Sequence, residues 1–126
     1  MADRKKILVV EDNDFVRMQI IKFLAEAEFD TVEAKDGTAA LEAINPDIAM
    51  AIVDIRMEPI DGFEFIRAIR GRDLETPVVL VTGDSNPDLL NEAGKWGVAA
   101  VLMKPVQRDR LVKAVTRTLQ SQERSS

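Results

Sequence analysis

The sequence predicts an α/β domain: one parallel sheet covered by helices on both faces. Short apolar runs recur at residues 7–10, 29–34, 48–53, 78–81 and 99–103. Most are continuous rather than alternating, the pattern of strands buried on both sides. Each run is followed by helical periodicity or a helix-start signal. Strand-helix repeated five times, a (βα)5 doubly wound arrangement, implies right-handed crossovers within a single five-stranded sheet.

The elements can be justified in order. The first helix, about residues 14–27, places Val16, Ile20, Phe23, Leu24 and Ala27 on one stripe. The run at 29–34 is the weakest strand candidate, and the helix after it, about 38–44, stops before Asn45-Pro46. The run Ile48-Ala49-Met50-Ala51-Ile52-Val53 ends abruptly in Asp54. Asp61-Gly62 reads as a turn into the third helix, which carries Phe63, Ile66 and Ile69. The fourth helix begins at Pro87, with Asn86 as N-cap and proline at the first helical position, and ends at Trp96. The fifth shows the clearest period, with Leu111, Ala114, Val115, Thr118 and Leu119 at steps of three and four. Residues 121–126 form a polar tail expected to fray. Residues 1–126 are therefore one domain, with its core at about 5–120. The order of the strands does not follow from this pattern.

Composition narrows the function. The chain has 126 residues, 46% apolar and 31% charged, enough for one soluble packed domain. A net charge of −5 argues against binding nucleic acid through bulk positive charge. There is no cysteine and no histidine, which removes thiolate sites, the commonest general base and the commonest transition-metal ligand. No apolar run approaches a membrane span, and no signal peptide precedes the first strand, so the expected location is cytoplasmic.

In open α/β sheets the working groups gather beyond the carboxyl ends of the strands. The first run ends in Glu11-Asp12, the third in Asp54, the fourth in Thr82 and the fifth in Lys104-Pro105. Four strands thus bring three carboxylates, a hydroxyl and an ammonium to one edge. Two carboxylates about 4 Å apart repel by about 4 kcal/mol at an effective dielectric near 20. One lysine cannot neutralise three acids, whereas a hard divalent cation can. Without histidine or cysteine, Mg2+ (or Mn2+) fits better than zinc. A divalent ion, a carboxylate, a lysine and a hydroxyl form a phosphoryl-transfer set: the carboxylate attacks phosphorus, and the others stabilise the spreading charge.

Four segments then resemble one family: ILVVEDN at 7–13, VDIRMEPIDG at 53–62, VLVTGD at 79–84 and VLMKP at 101–105. In this order and spacing they are similar to the receiver domains of bacterial two-component response regulators, and the likeness covers essentially the whole chain. The resemblance implies a flavodoxin-like (CheY-like) fold with strand order 2-1-3-4-5. It implies that Asp54 is the phosphoacceptor and that Asp12 touches magnesium directly. Glu11 would hold the ion through water, and the Arg56 backbone carbonyl would be a further ligand. Thr82 would bind the phosphoryl group, Lys104 would be the site lysine, and Lys104–Pro105 would be a cis peptide. Arg56 and Asp84 fall where receivers tune the phosphoryl lifetime, and with opposite charges they can pair over the site. Implied partners are a sensor histidine kinase or a histidine phosphotransfer protein, and a downstream target protein.

The chain also departs from the family. Glu58 stands where proline is usual, with Pro59 next. Gly83 follows Thr82, where alanine is common. Val101 occupies the switch position that usually carries tyrosine or phenylalanine. Such a switch has little aromatic readout, which favours a relay shuttle over a signalling switch.

Only one helix and a tail follow Lys104, so the expectation is a stand-alone receiver; a piece of a larger regulator is the alternative. The fifth helix is basic (Arg108, Arg110, Lys113, Arg117) and the fourth acidic (Asp88, Glu92), which allows a homodimer through these two helices. Two other functions compete. One is a haloacid-dehalogenase-like phosphohydrolase with an aspartyl nucleophile, which needs an acid where Arg56 stands. The other is a receiver-like binding module that is never phosphorylated.

Overall fold

The computed structural model describes residues 4–125. Its elements run β1 (Lys6–Val10), α1 (Asp14–Glu26), β2 (Asp30–Ala34), α2 (Gly37–Ala43), β3 (Ile48–Asp54), α3 (Gly62–Gly71), β4 (Val78–Thr82), α4 (Pro87–Lys95), β5 (Ala100–Met103) and α5 (Arg108–Ser125). The five strands are parallel, in the order β2-β1-β3-β4-β5 that the resemblance implied.

Alternation along β1 shows why the strands read as continuous apolar runs. Leu8 and Val10 face one core with Ala51, Val53, Leu80 and the apolar sides of α2 and α3. Ile7 and Val9 face the other with Ile52, Val79, Val81, Ile20 and Leu24 of α1, and Leu111 and Val115 of α5. Both faces are dry, so every residue of the three central strands is apolar except at their ends. The edge strands β2 and β5 are only half covered, which explains the weak signal at 29–34. Phe65 is fully buried beside Ile66 and Ile69; truncating it to alanine removes about 3–5 kcal/mol. It was absent from the stripe read in the sequence.

Helix starts follow local chemistry. Asn13, Asp36, Asp61 and Asn86 each cap a helix by accepting a backbone N–H. At α3 the cap is reciprocal: Glu64 N–H donates to Asp61 Oδ1 and Asp61 N–H donates to Glu64 Oε1, a capping box. Asp61-Gly62 is thus more than a turn. A Cβ on Gly62 would sit 3.0 Å from the Asp54 carbonyl oxygen and from Ile55 Cα, so glycine lets α3 start hard against the end of β3.

The helical assignment of α5 runs to Ser125, into the segment read as a polar tail. No glycine or proline interrupts residues 106–125, and Gln, Glu and Arg are good helix formers. Met1–Asp3 and Ser126 lie outside the described residues. Among the described residues no helix is long and apolar enough to cross a membrane.

Candidate functional site

The carboxyl ends of β1, β3, β4 and β5 converge as the sequence implied. β1 and β3 are neighbours, with Val10 opposite Val53. The next residues, Glu11-Asp12 and Asp54, therefore meet. Glu11, Asp12 and Asp54 each offer an oxygen within 4.8 Å of the others. β4 and β5 bring the other two groups: Thr82 pairs with Met103, and the Lys104 N–H donates to the Thr82 carbonyl at 2.9 Å. Lys104–Pro105 is cis, as is Glu58–Pro59.

Burial divides the acids. Glu11 is 1% exposed and Asp54 4%, whereas Asp12 is exposed. Lys104 bridges the buried pair. Its Nζ donates to Asp54 Oδ2 at 3.1 Å and lies 2.9 Å from Glu11 Oε1. That second contact is an ion pair without hydrogen-bond alignment. Glu11 Oε1 is thus a buried side-chain oxygen lacking a donor among the described residues. The other Glu11 oxygen accepts the Asn13 N–H at 3.0 Å. Asp54 Oδ1 accepts the Arg56 N–H at 3.2 Å.

The electrostatics follow from this crowding. A hydrogen bond shared with Glu11, then burial, then Glu11's charge raise the Asp12 carboxyl above its ordinary value. Burial pulls the Lys104 ammonium down, but Glu11 and Asp54 outweigh it, and its pKa ends above the ordinary lysine value. One ammonium therefore serves three carboxylates. The acid cluster has a buried oxygen, Glu11 Oε1, held by an ion pair with Lys104 and by no aligned hydrogen bond; with only oxygen ligands and one exposed member, the set suits a hard divalent cation.

Thr82 is buried, and its hydroxyl belongs to its own loop: Asp84 N–H donates to Thr82 Oγ1 at 3.0 Å. Asp84 then accepts the Asn86 N–H at 2.9 Å, and Asn86 caps α4 by accepting the Asp88 N–H at 2.9 Å. Arg56 and Asp84 do pair, at 2.5 Å. The Asn86 N–H first, and Arg56 second, hold the Asp84 carboxyl below its ordinary value. A groove of about 600 Å3 opens beside the cluster, lined by Asp12, Arg56, Met57, Asp61, Phe63 and Leu89 among others. Val101, like Leu89 and Trp96, is partly buried and packs against the core on the α2–α3 side of the sheet. Trp96 donates to Glu92 and lies under the Arg67 guanidinium, 5.7 Å from ring centre to carbon.

The sequence reading missed Arg17. Its side chain is 11% exposed and holds three segments at once: the Glu11 carbonyl at 2.8 Å, Asp14 at 2.6 Å and Glu33 at 3.1 Å. The available signal was a cation next to the apolar stripe of α1, three residues after an acid.

Known proteins match this architecture. The sequence profile of the response regulator receiver domain covers residues 7–116. The chain is 34% identical over 125 residues to the regulatory protein AtoC of Escherichia coli, covering 97% of this chain and 27% of AtoC. It is 33% identical over 118 residues to the probable transcriptional regulatory protein NarL of Mycobacterium tuberculosis, covering 54% of that protein. The chain thus spans only a quarter to a half of these relatives. The chemotaxis protein CheY of Bacillus subtilis is 30% identical over 118 residues, which cover 90% of this chain and 97% of CheY. Among solved structures, the receiver domain of M. tuberculosis NarL superposes with a TM-score of 0.86 at 30% identity, covering 94% of this chain and 98% of that one. Chemotaxis protein CheY4 of Vibrio cholerae superposes at 0.84 with 28% identity, covering 92% and 99%. With the strand order, the profile match and these relatives in agreement, the chain belongs to the response regulator receiver domain family of two-component systems.

Proposed function

We propose that this receiver accepts a phosphoryl group on Asp54 from a phosphohistidine of a partner kinase or phosphotransfer protein. The observation that carries the reading is Asp54 itself. It is a 4%-exposed carboxylate at the end of a central strand, shared between Lys104 and the Glu11-Asp12 pair. Receiver domains generally bind Mg2+ at such an acidic pocket. Glu11, Asp12, Asp54 and the Arg56 carbonyl would hold the ion here. When bound, it supplies neutralising charge at the phosphoryl oxygens.

In the proposed step an Asp54 carboxylate oxygen attacks phosphorus. The oxygen–phosphorus bond forms, the nitrogen–phosphorus bond breaks, and the donor imidazole leaves with the electron pair. Lys104, already on Asp54, turns to the incoming phosphoryl oxygens as a flexible point charge. Thr82 accepts the Asp84 N–H at 3.0 Å and points its own O–H at the Asp84 carbonyl, 3.4 Å away; turning that O–H to the phosphoryl group gives up the long contact and pulls on the loop that leads into α4. Such a local bond exchange is how a covalent modification biases a two-state surface for a partner to read. Val101 leaves that surface without the usual aromatic reporter, which favours relay of the group onward. Arg56 and Asp84, paired beside the site, shield the acyl phosphate from water. The protein works in the cytoplasm, and α4 and α5 provide its homodimer surface.

The phosphohydrolase reading lacks its general acid, since Arg56 cannot protonate a leaving group. Incubation with MgCl2 and acetyl phosphate separates the readings. The proposal expects one stable adduct per chain and slow donor consumption. Rapid multiple turnover identifies a phosphohydrolase, and no adduct identifies a binding module; either refutes the proposal.

A further inference from the structure

We propose that Arg17 is a positioning residue for the acid pair Glu11-Asp12: its guanidinium fixes the peptide between them and thereby sets the divalent-cation affinity of the site. The inference rests on the reading that these acids bind Mg2+.

The Glu11 carbonyl belongs to the peptide that joins the two acids. Arg17 donates to it at 2.8 Å from a side chain that is 11% exposed. Two further contacts orient the guanidinium: Glu33 on β2 and Asp14 at the start of α1 accept from its other nitrogens at 3.1 and 2.6 Å. The planar fork therefore ties the β1 end, the β2 strand and the first turn of α1 to one peptide group. Two local bonds complete the clamp: Asn13 N–H to Glu11 Oε2, and Val16 N–H to Asn13 Oδ1. With its peptide plane fixed, Asp12 leaves the chain in one direction while Glu11 points into the buried cluster. Lysine could keep only part of this, since an ammonium on a flexible stem does not span three planar contacts.

Charge and position predict opposite outcomes, which makes the inference testable. Arg17 is one positive charge against two carboxylates, Asp14 and Glu33. Removing it makes the neighbourhood more negative, and electrostatics alone would tighten cation binding. Loss of positioning would weaken it. Groups that orient metal ligands typically change affinity by about 10–100-fold when removed.

The experiment is titration of the full chain with MgCl2, followed by calorimetry and by thermal shift. Wild type is compared with Arg17→Ala, Arg17→Lys and Thr118→Ala. Thr118 lies on α5, away from the acids, and its hydroxyl donates to the Ala114 carbonyl at 2.7 Å. Thr118 is 8% exposed, so Thr118→Ala removes a buried methyl and hydroxyl and reports what lost stability alone does. The expected result is Mg2+ binding weakened about tenfold or more in Arg17→Ala. Arg17→Lys should be weakened less, and Thr118→Ala should bind like wild type despite a lower melting temperature. If Arg17→Ala does not fold, a weaker Arg17→Lys carries the same conclusion. Unchanged or tighter binding in the folded Arg17 variants overturns the inference while leaving the cation site intact. Equal weakening in Thr118→Ala overturns it as well. Absence of Mg2+ binding in wild type overturns the site reading itself.

Discussion

Replacing Asp12 with asparagine should stabilise the metal-free protein and abolish its response to magnesium. The oxygens of Glu11, Asp12 and Asp54 lie within 4.8 Å of one another. At that separation two unit charges repel by about 3.5 kcal/mol at an effective dielectric near 20, and by about 0.9 kcal/mol in water. Asp12 is exposed, so the lower figure governs, and Lys104 offsets part of it. The net gain in Asp12→Asn should be about 1 kcal/mol, a rise of about 3–5 °C in melting temperature for a domain of this size.

The sign with pH can be worked out. The folded-state pKa of Asp12 lies above the ordinary 3.8 because of the hydrogen bond shared with Glu11, burial and Glu11's charge. The folded form therefore takes up the Asp12 proton at higher pH than the unfolded form does. The penalty is present above the raised pKa, shrinks as pH falls through it, and is gone below 3.8. The advantage of Asp12→Asn should close over the same window. In wild type, Mg2+ at a hundred times its dissociation constant should add about 2.7 kcal/mol, and in the variant little. Calorimetric melting with and without MgCl2, from neutral to acidic pH, measures all of this. A destabilised metal-free variant, or one that keeps the full magnesium response, would mean the acids are not crowded around a cation.

Other perturbations have equally definite outcomes. Arg56→Ala removes the partner of Asp84 and should shorten the phosphoryl lifetime measured by loss of the adduct; an unchanged lifetime refutes the shielding role. The Asn86 N–H first, and Arg56 second, hold Asp84 low, so its contribution to stability is present above 3.8 and lost as pH falls through the lowered folded value. Asp84→Asn should flatten acid unfolding curves there. Lys104→Met strands Glu11 and Asp54 without their cation. The loss is about 2–4 kcal/mol in urea denaturation, below the usual figure for a broken buried pair because Lys104 is 28% exposed. Its raised pKa means this contribution is complete below 10.5 and lost as pH rises through the folded value. Gly62→Ala drives a methyl against the Asp54 carbonyl and Ile55 Cα and should cost about 1–3 kcal/mol; a neutral result would show that α3 can slide away from the site.

Much of this was legible in the sequence because the signals are local. Strands buried on both faces appear as unbroken apolar runs, and Asn86-Pro87 announces a helix start by its own chemistry. Asp54, Thr82 and Lys104 stand out because each ends such a run. Strand order was not legible, since a crossover leaves no mark in periodicity; the resemblance supplied it. Arg17 was invisible for a similar reason. Its partners, Glu11 and Glu33, become neighbours only when β2 pairs with β1. Phe65 escaped because it broadens the apolar face of α3 beyond the three residues read as its stripe. The extent of α5 was not legible because its last residues are polar on every side and carry no apolar period, although no breaker ends the helix before Ser125.

Asp54 as the phosphoryl acceptor can be checked in a single experiment. Full chain is incubated with MgCl2 and acetyl phosphate, weighed intact by mass spectrometry, then digested to locate the modification. The expected result is a gain of one phosphoryl mass, dependent on magnesium, mapped to the peptide containing Asp54 and absent from Asp54→Ala. No gain in wild type, or a gain that persists in Asp54→Ala, contradicts it.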